Sequence, residues 1–370
     1  MRFRNIYLSN IVNWFTVFLW AYYLLGTWTG IPLPQLISKY EIVFLSTILI
    51  LQILNSTDFN ALFHLKNFDF NMIIFILLIS TICLFFSHSR PGAILNIANF
   101  CMIWYLSDKW CLNTKQIIVL WISLILILFC WLIAPAETNT NTVSSVCYIS
   151  LVTVLAGIDY FIKKCKFRFI LETASIILVF FQILKFRGRG SLIALLSYII
   201  IRYLLSKRLL KSYNFYKFLC YTCTLGSLCF VYIYTFLWRL TGSDLKMPLF
   251  NKQIFSGREA IWYELWGLFK NHPFVGTGSN LILKSWENVN THNSIYNILI
   301  IYGIFVFSFA MIFLITKLFH MWNRYHNMIT FIPVISGIFA IFIECFFEMN
   351  LFWTPVVFLW LFLTALINVK

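Results

Sequence analysis

Long apolar runs, separated by short polar breaks, dominate the 370 residues of this chain. Hydrophobic residues make up 61% of the sequence and charged residues 11%, and the mean hydropathy is +0.84. Polar side chains this scarce could not cover the surface of a soluble domain, so a lipid bilayer must supply apolar surroundings. The fold class we predict is therefore an all-α polytopic membrane protein.

Twelve of these runs have the length of about 20 residues that a membrane-spanning helix needs. They lie at roughly 6–26, 36–54, 70–87, 91–107, 116–134, 145–162, 169–185, 190–206, 215–237, 294–317, 328–346 and 351–369. We expect the whole chain, 1–370, to form a single membrane domain. One long loop, roughly 238–293, is inserted between the ninth and tenth spans.

Basic residues predict the orientation of these spans. Arg2 and Arg4 precede the first span, and the basic cluster at 163–168 and most other basic loops fall on the same side. Because basic loops stay in the cytoplasm, both termini are predicted to be cytoplasmic. The formal net charge of +15 then reflects contact with anionic lipid headgroups, and no nucleic acid is expected as a partner.

Two segments on the outer side depart from this rule. One is the short turn KFRGR with Lys185, Arg187 and Arg189, and the other is the long loop 238–293. Long loops cross a membrane regardless of their charge, which explains the second segment but not the first. We therefore predict a function for the cations of the short turn.

The long loop is expected to contain a helix of its own. Ser256 and Glu259 have the spacing of a capping box, which predicts a helix that begins near Gly257. Apolar residues recur at helical spacing until Pro273, and the Trp-rich helix should lie along the outer membrane interface. Arg258 falls in its first turn, where a cation is unfavourable for the helix dipole. This indicates a functional role, with headgroup contact as the alternative.

Two predicted spans begin beside residues that suit an anion site. The eighth starts just after Arg189 and the tenth just after His292, so unpaired backbone N–H groups face the outer surface there. Gly190 and Ser191 favour a close approach of the backbone to phosphate, and Asn293 can cap the tenth span. At a helix N-terminus His292 should be a neutral imidazole able to accept a proton; a structural histidine is the alternative.

Two further features allow more than one interpretation. Gly276 and Gly278 either form a simple turn or let the loop fold over a substrate. Glu344 and Glu348 lie near the outer end of the eleventh span. Carboxylates within a membrane are costly and often functional, but the alternative for Glu348 is a position in water.

Three motifs, in this order, resemble the O-antigen polymerase and O-antigen ligase superfamily of bacterial envelope enzymes. That family shows a small-residue–Arg–Gly turn before a helix, here GRGS with Arg189. A Gly–Arg–x–x–x–Trp helix closing in Pro–x–x–Gly–x–Gly follows, here GREAIW and PFVGTG with Arg258. A His–Asn pair then opens a membrane helix toward Tyr–Gly, here THNSIYNILIIYG with His292. The motifs cover about 186–303, and the hydropathy profile fits nearly the whole chain.

The resemblance implies glycan substrates carried on undecaprenyl pyrophosphate, at the periplasmic face of the bacterial inner membrane, and a GT-C-like helix arrangement. Its functional residues would be Arg189, Arg258 and His292. The arginines would stabilise charge developing on the pyrophosphate, and His292 would accept the proton of the attacking sugar hydroxyl. Candidates for substrate contact are Arg187, Gly190, Ser191, Trp262 and Asn293.

The expected reaction is direct displacement by the acceptor, which implies inversion at the anomeric carbon. No cofactor is expected, and the outer loops contain no Asp, Glu and His cluster with metal-ligand spacing, so we predict a metal-independent reaction. The expected partners are the undecaprenyl-pyrophosphate-linked oligosaccharide, membrane lipids and a regulator of polysaccharide chain length.

The choice within the superfamily depends on a small difference. Family ligases often carry a second histidine two positions before the His–Asn pair, where this chain has Asn290. This difference and the compact length favour an O-antigen polymerase. The alternatives are an O-antigen ligase, which transfers glycan to lipid A-core, and a flippase for lipid-linked glycans. A transporter would need charged residues near the bilayer midplane, whereas the predicted charges gather at one outer surface.

Overall fold

In a computed structural model, the described part of the chain is almost entirely helical. The structure describes residues 6–29, 37, 39–56, 68–87, 89–133, 140–162, 165–242, 246–247, 252–253, 255, 257–280, 283, 291–349, 351–352 and 354–368. Within these residues the β-structure is one antiparallel pair of two-residue strands, β1 (Lys246–Met247) and β2 (Lys252–Gln253).

The described helices fall before, within and after the long loop. Those before the long loop are α1 (Ile6–Thr29), α2 (Glu41–Ser56), α3 (Phe68–Phe86), α4 (Gly92–Leu106), α5 (Thr114–Leu132), α6 (Thr140–Phe161), α7 (Lys166–Phe186), α8 (Arg189–Ile199), α9 (Lys207–Leu210), α10 (Tyr213–Thr224) and α11 (Gly226–Thr241). A π-helical turn, Ile200–Leu204, extends α8. The helices within and after the loop are α12 (Arg258–Asn271), α13 (Ser294–Tyr325), α14 (Phe331–Glu344) and α15 (Thr354–Ile367).

Each of the twelve predicted apolar runs contains a helix, so the all-α fold class is confirmed. Three runs are not single straight helices. The run 294–317 has non-helical φ and ψ angles at Gly303, inside α13. The run 190–206 passes into the π-helical turn, and the run 215–237 is divided at Leu225 between α10 and α11.

Fewer helices than runs have the dimensions of a complete membrane span. By length and composition, five described helices are long and apolar enough to cross a membrane, and the pair α10–α11, which bends by 48°, makes a sixth. The five are Phe68–Phe86, Thr114–Leu132, Asn141–Phe161, Lys166–Phe186 and Ser294–Tyr325. These helices support a membrane protein, while twelve complete spans and a GT-C-like arrangement stay predictions.

Helix α6 lies at the centre of the bundle. In the apolar stretch of this helix, 89% of the residues are buried inside the bundle. The helix packs against α5, α7, α8, α14 and α15. The outer helices expose large apolar side chains, among them Phe85 (76% exposed) and Phe129 (62%). Apolar side chains that point outward from a packed core are the pattern expected where lipid replaces water.

The PFVGTG segment packs against a break in helix α13. Gly303 has a φ of 80° there, and a Cβ added to it would lie 2.1 Å from the Phe274 carbonyl oxygen. The amide of Thr277 donates to Ile300 O at 2.8 Å. Gly276, with a φ of 77°, also leaves no room for a Cβ against the Ile301–Gly303 backbone. These glycines therefore allow loop and helix backbones to meet, in agreement with the simple-turn interpretation.

Candidate functional site

Arg258 and His292 meet at a carboxylate that neither motif contains. Nη2 of Arg258 donates to Oε1 of Glu348 at 2.6 Å, and Nδ1 of His292 lies 3.5 Å from Oε2 of the same residue. The three side chains are 15%, 29% and 20% exposed, respectively, so ligands can reach them. We call Arg258, His292 and Glu348 the Glu348 cluster.

Two neighbouring side chains, His292 and Arg258, stabilise the negative charge of Glu348. Burial alone would raise the pKa of this carboxyl group. The hydrogen bond and charge from His292, together with those from Arg258, outweigh burial and bring the pKa below its ordinary value. Glu348 is therefore an anion that orients a guanidinium and an imidazole at once.

Arg189 lies at the same end of the bundle. It is the first residue of α8, whose next residues contact the segment that carries Glu348. A Cβ added to Gly190 would lie 2.9 Å from Phe347 Cβ, and Ser191 Oγ donates to Glu344 Oε1 at 2.7 Å. Burial lowers the pKa of the Arg189 guanidinium, and the charge of Arg258 acts on it in the same direction. The structure thus brings the three predicted functional residues together.

Gly190 and Ser191, which were expected to approach phosphate, both have packing contacts at the start of α8. The space beside Gly190 is occupied by Phe347, and Ser191 is 3% exposed with its hydroxyl bonded inside the bundle. The space beside Gly188 is likewise occupied, by Ser144. These residues hold the helix start in place, and substrate contact by Gly190 and Ser191 stays a prediction.

Asn293 caps helix α13, as the sequence predicts. Its Oδ1 accepts from the amide of Tyr296 at 2.9 Å and from Ser227 Oγ at 2.8 Å. Its Nδ2 donates to Phe346 O at 3.1 Å, and the residue is 0% exposed. Asn293 therefore ties the start of α13 to the segment that carries Glu348 and so positions His292. It offers no surface to a ligand, and its predicted contact with substrate stays untested.

Two non-glycine residues in the described chain have positive φ, and both belong to predicted motifs. His292 has a φ of 47° and Arg187 a φ of 55°. The left-handed conformation is uncommon for such residues and is often held in place at functional sites. Arg187 adopts it as the C-cap of α7, which is a common helix ending. Its side chain is exposed, so substrate binding by Arg187 stays open.

Helix α12 presents Arg258 from its first position. The helix begins at Arg258 with Gly257 as its N-cap, in a left-handed conformation, so the predicted start near Gly257 is confirmed. Glu259 does accept the backbone amide of Gly257, at 2.8 Å. Ser256 lies outside the described residues. The helix ends at Asn271, before Pro273, as predicted.

Trp262 joins helix α12 to the histidine segment. Its Nε1 donates to Thr291 O at 2.6 Å, and Tyr296 OH donates to Trp262 O at 3.0 Å. The side chain is 1% exposed, so Trp262 is a core residue of the loop and not a free interfacial ring. One side of it lines a cavity of about 380 Å³ between α11, α12 and α13, whose lining also includes Arg239 and Lys270.

The sequence marked Glu348 as a carboxylate with two interpretations but did not assign it to the site. Glu348 contacts Arg258, 90 residues before it, and His292, 56 residues before it. A local sequence pattern cannot predict contacts over such separations. The available signal was a carboxylate at the outer end of a predicted span, on the side where unexplained cations gather.

Within the described residues, no three His, Cys, Asp or Glu side chains are grouped so that they could hold a metal ion. Metal independence of the reaction stays a prediction. Comparison with known proteins finds no family model and no curated protein that matches this chain.

Proposed function

We propose that this protein is an O-antigen polymerase, an inverting glycosyltransferase that joins undecaprenyl-pyrophosphate-linked repeat units. The observation that carries the proposal is the Glu348 cluster with Arg189 beside it. It combines two cations, an imidazole and an orienting carboxylate at one end of a helical bundle. This is the set that transfer from a pyrophosphate-linked donor to a hydroxyl acceptor requires.

In the proposed reaction the acceptor hydroxyl attacks the anomeric carbon of the donor sugar. His292 takes the hydroxyl proton as the new C–O bond forms. The bond to pyrophosphate breaks, and its electron pair leaves with the phosphate oxygen. Arg189 and Arg258 stabilise the negative charge that develops there. Attack opposite to the leaving group inverts the anomeric configuration.

Glu348 acts as a positioning residue in this scheme. If Nδ1 of His292 carries its proton toward Oε2 of Glu348, then Nε2 keeps a lone pair for the acceptor proton. The same carboxylate holds one N–H of Arg258 and leaves the remaining donors of the guanidinium for phosphate oxygens.

The proposal includes a topology. The twelve apolar runs cross the bacterial inner membrane in a GT-C-like arrangement, and both termini are cytoplasmic. The Glu348 cluster then lies at the periplasmic mouth of the bundle, where lipid-linked repeat units would reach it.

Lipopolysaccharide profiles test the proposal. Variants Arg189→Ala, Arg258→Ala and His292→Ala, each with confirmed expression, are introduced into an O-antigen-producing strain that lacks its own copy of this protein. We expect a single repeat unit on the lipid A-core in place of a ladder, while His272→Ala, a change at an exposed loop histidine, keeps the ladder. Loss of all O-antigen from the core would indicate a ligase. Undiminished ladders in all three variants would remove the proposed site.

A further inference from the structure

A second group of charged residues lies at the other end of helices α6, α7 and α8. It consists of Asp159, Arg168, Glu172 and Arg202, which we call the Arg202 cluster. Arg202 is 13 residues beyond Arg189 along α8 and its π-helical turn, a separation of roughly 20 Å at the usual rise per residue. The cluster is therefore separate from the Glu348 cluster.

Inside the Arg202 cluster, the charges balance. Arg168 Nε donates to Glu172 Oε1 at 2.7 Å, and both arginines form ion pairs with Asp159. The hydroxyl of Tyr203 donates to the other oxygen of Glu172 at 3.0 Å. Two carboxylates thus face two guanidinium groups, and these pairs alone would account for a structural role.

Arg202 has donors that this balance does not use. Its side chain is 5% exposed and reaches Asp159 through Nη2. Nε and Nη1 are buried, and among the described residues neither atom meets an acceptor at hydrogen-bond geometry. The guanidinium carbon lies 4.9 Å from the ring centre of Tyr203 and 5.7 Å from that of Tyr198, so its remaining neighbours are these two tyrosines. Buried N–H groups of a charged side chain that lack an acceptor are costly, so a group that is kept in this state requires an explanation, and a bound ligand is one.

The cluster also lines a large cavity. The cavity has a volume of about 1030 Å³, close to the upper end of the range for small-molecule sites. Its lining includes Arg168, Arg202, Tyr203, Lys207, Lys211 and Ile329. Lys207 and Lys211 add two positive charges that no carboxylate of the lining offsets. The cavity therefore favours an anion over a cation or a neutral ligand.

The local backbone presents Arg202 to this cavity. Residues Ile200–Leu204 form a π-helical turn, which adds a residue to the turn and changes the direction of the side chains that follow. Such turns are uncommon and frequently lie at functional sites. Here the turn carries both Arg202 and Tyr203 of the cavity wall.

We propose that this cavity binds a phosphate-bearing anion, with N–H groups of Arg202 and the ammonium groups of Lys207 and Lys211 as its donors. A guanidinium matches the oxygens of a phosphate by two parallel hydrogen bonds. A lipid headgroup and a soluble phosphate share this chemistry. The side chains of Met328 and Ile329 at the cavity wall are 45% and 89% exposed, which suits contact with acyl chains.

The experiment uses the full chain in phosphatidylcholine nanodiscs, with and without phosphatidylglycerol. Native mass spectrometry counts retained phosphatidylglycerol, and the unfolding midpoint is measured as inorganic phosphate is added. The test variant is Lys207→Ala/Lys211→Ala. Its control, Arg208→Ala/Lys217→Ala, also removes two positive charges but changes no residue of the cavity lining. Arg202→Gln is added as a second test variant, and the lysine pair covers the case in which it fails to fold.

We expect the lysine double variant to lower the affinity for the phosphate probe about tenfold, and the control to lower it less than about twofold. If phosphatidylglycerol shows this dependence, the ligand is a lipid headgroup; if inorganic phosphate shows it, the ligand is soluble. Equal binding by both double variants would overturn the proposal, as would no binding of either probe by the wild type. Neither result bears on glycosyl transfer.

Discussion

The two ends of helix α8 differ in how their charges are held. At the Arg189 end, the Glu348 cluster joins three segments far apart in the sequence, and its side chains keep 15% to 29% exposure. At the Arg202 end, the cluster joins neighbouring helices, and its side chains are 5% to 14% exposed. Charges that are buried and paired fix the packing of helices, whereas partly exposed cations remain available to a substrate.

The largest effect on stability is expected at the buried end. Arg202→Gln leaves Asp159 with one cation fewer in a buried environment, and breaking a buried pair costs about 3–5 kcal/mol. Chemical unfolding of the purified protein measures the loss. Arg208→Gln, the same change at an exposed neighbour, should stay within about 0.5 kcal/mol of wild type. Equal stability of the two variants would contradict the distinction between the ends.

At the Arg189 end of α8, substitutions should lower activity more than stability. In the proposed reaction Arg258→Gln removes a donor to the developing charge, and a loss of about 10²–10³-fold in polymerisation rate is expected. Its ion pair with Glu348 is partly exposed, so the unfolding free energy should change by only about 0–1 kcal/mol. Rates and unfolding curves on the same preparation measure both. A large stability loss with unchanged rate would place Arg258 with the structural arginines.

The packing of the α8 start predicts a contrast between two glycines. Gly190→Ala places a Cβ 2.9 Å from Phe347 and should destabilise the fold by about 1–3 kcal/mol through overpacking. Gly267→Ala, at an exposed position of helix α12, meets no atom within 4 Å and should stabilise by about 0.5–1 kcal/mol. Unfolding midpoints of the two variants measure the contrast. An unfolding midpoint of Gly190→Ala equal to that of wild type would contradict the overpacking, because it would show that Phe347 moves to make room.

The smallest expected effect concerns pH. The pKa of Glu348 is lower in the folded state than its ordinary value, so its charge stabilises the fold above the ordinary pKa of about 4.3. This stabilisation is lost as the pH falls through the folded-state pKa. The unfolding free energy of wild type should exceed that of Glu348→Gln by about 1 kcal/mol at neutral pH, and this difference should disappear as the pH falls through the folded-state pKa of Glu348. A difference that does not change with pH would contradict the ion-pair description.

Local patterns were enough to predict much of this molecule. Each apolar run contains a helix because burial in lipid or protein requires it, and the Asn293 cap follows from its position before an apolar helix. The helix start near Gly257 follows in the same way from the spacing of Ser256 and Glu259. A glycine in the sequence does not show what occupies the space beside it. That space can receive a phosphate or, as at Gly190, a neighbouring side chain.

The meeting of Arg258 and His292 at Glu348 lay beyond such patterns. The three residues are adjacent only because α12, the start of α13 and the segment after α14 pack together, through contacts such as Asn293 Nδ2 to Phe346 O. Their separation along the chain gives no periodic signal. The sequence therefore singled out Arg258 and His292, while their shared contact with Glu348 required the structure.

The most direct measurement is elongation by the purified protein. Wild type and His292→Ala are reconstituted with defined undecaprenyl-pyrophosphate-linked repeat units, and the lipid-linked products are separated by length. Elongated products from wild type and from His272→Ala, with none detectable from folded His292→Ala, are predicted. Elongation by His292→Ala at the wild-type rate would contradict the assignment of the Glu348 cluster as the site of glycosyl transfer.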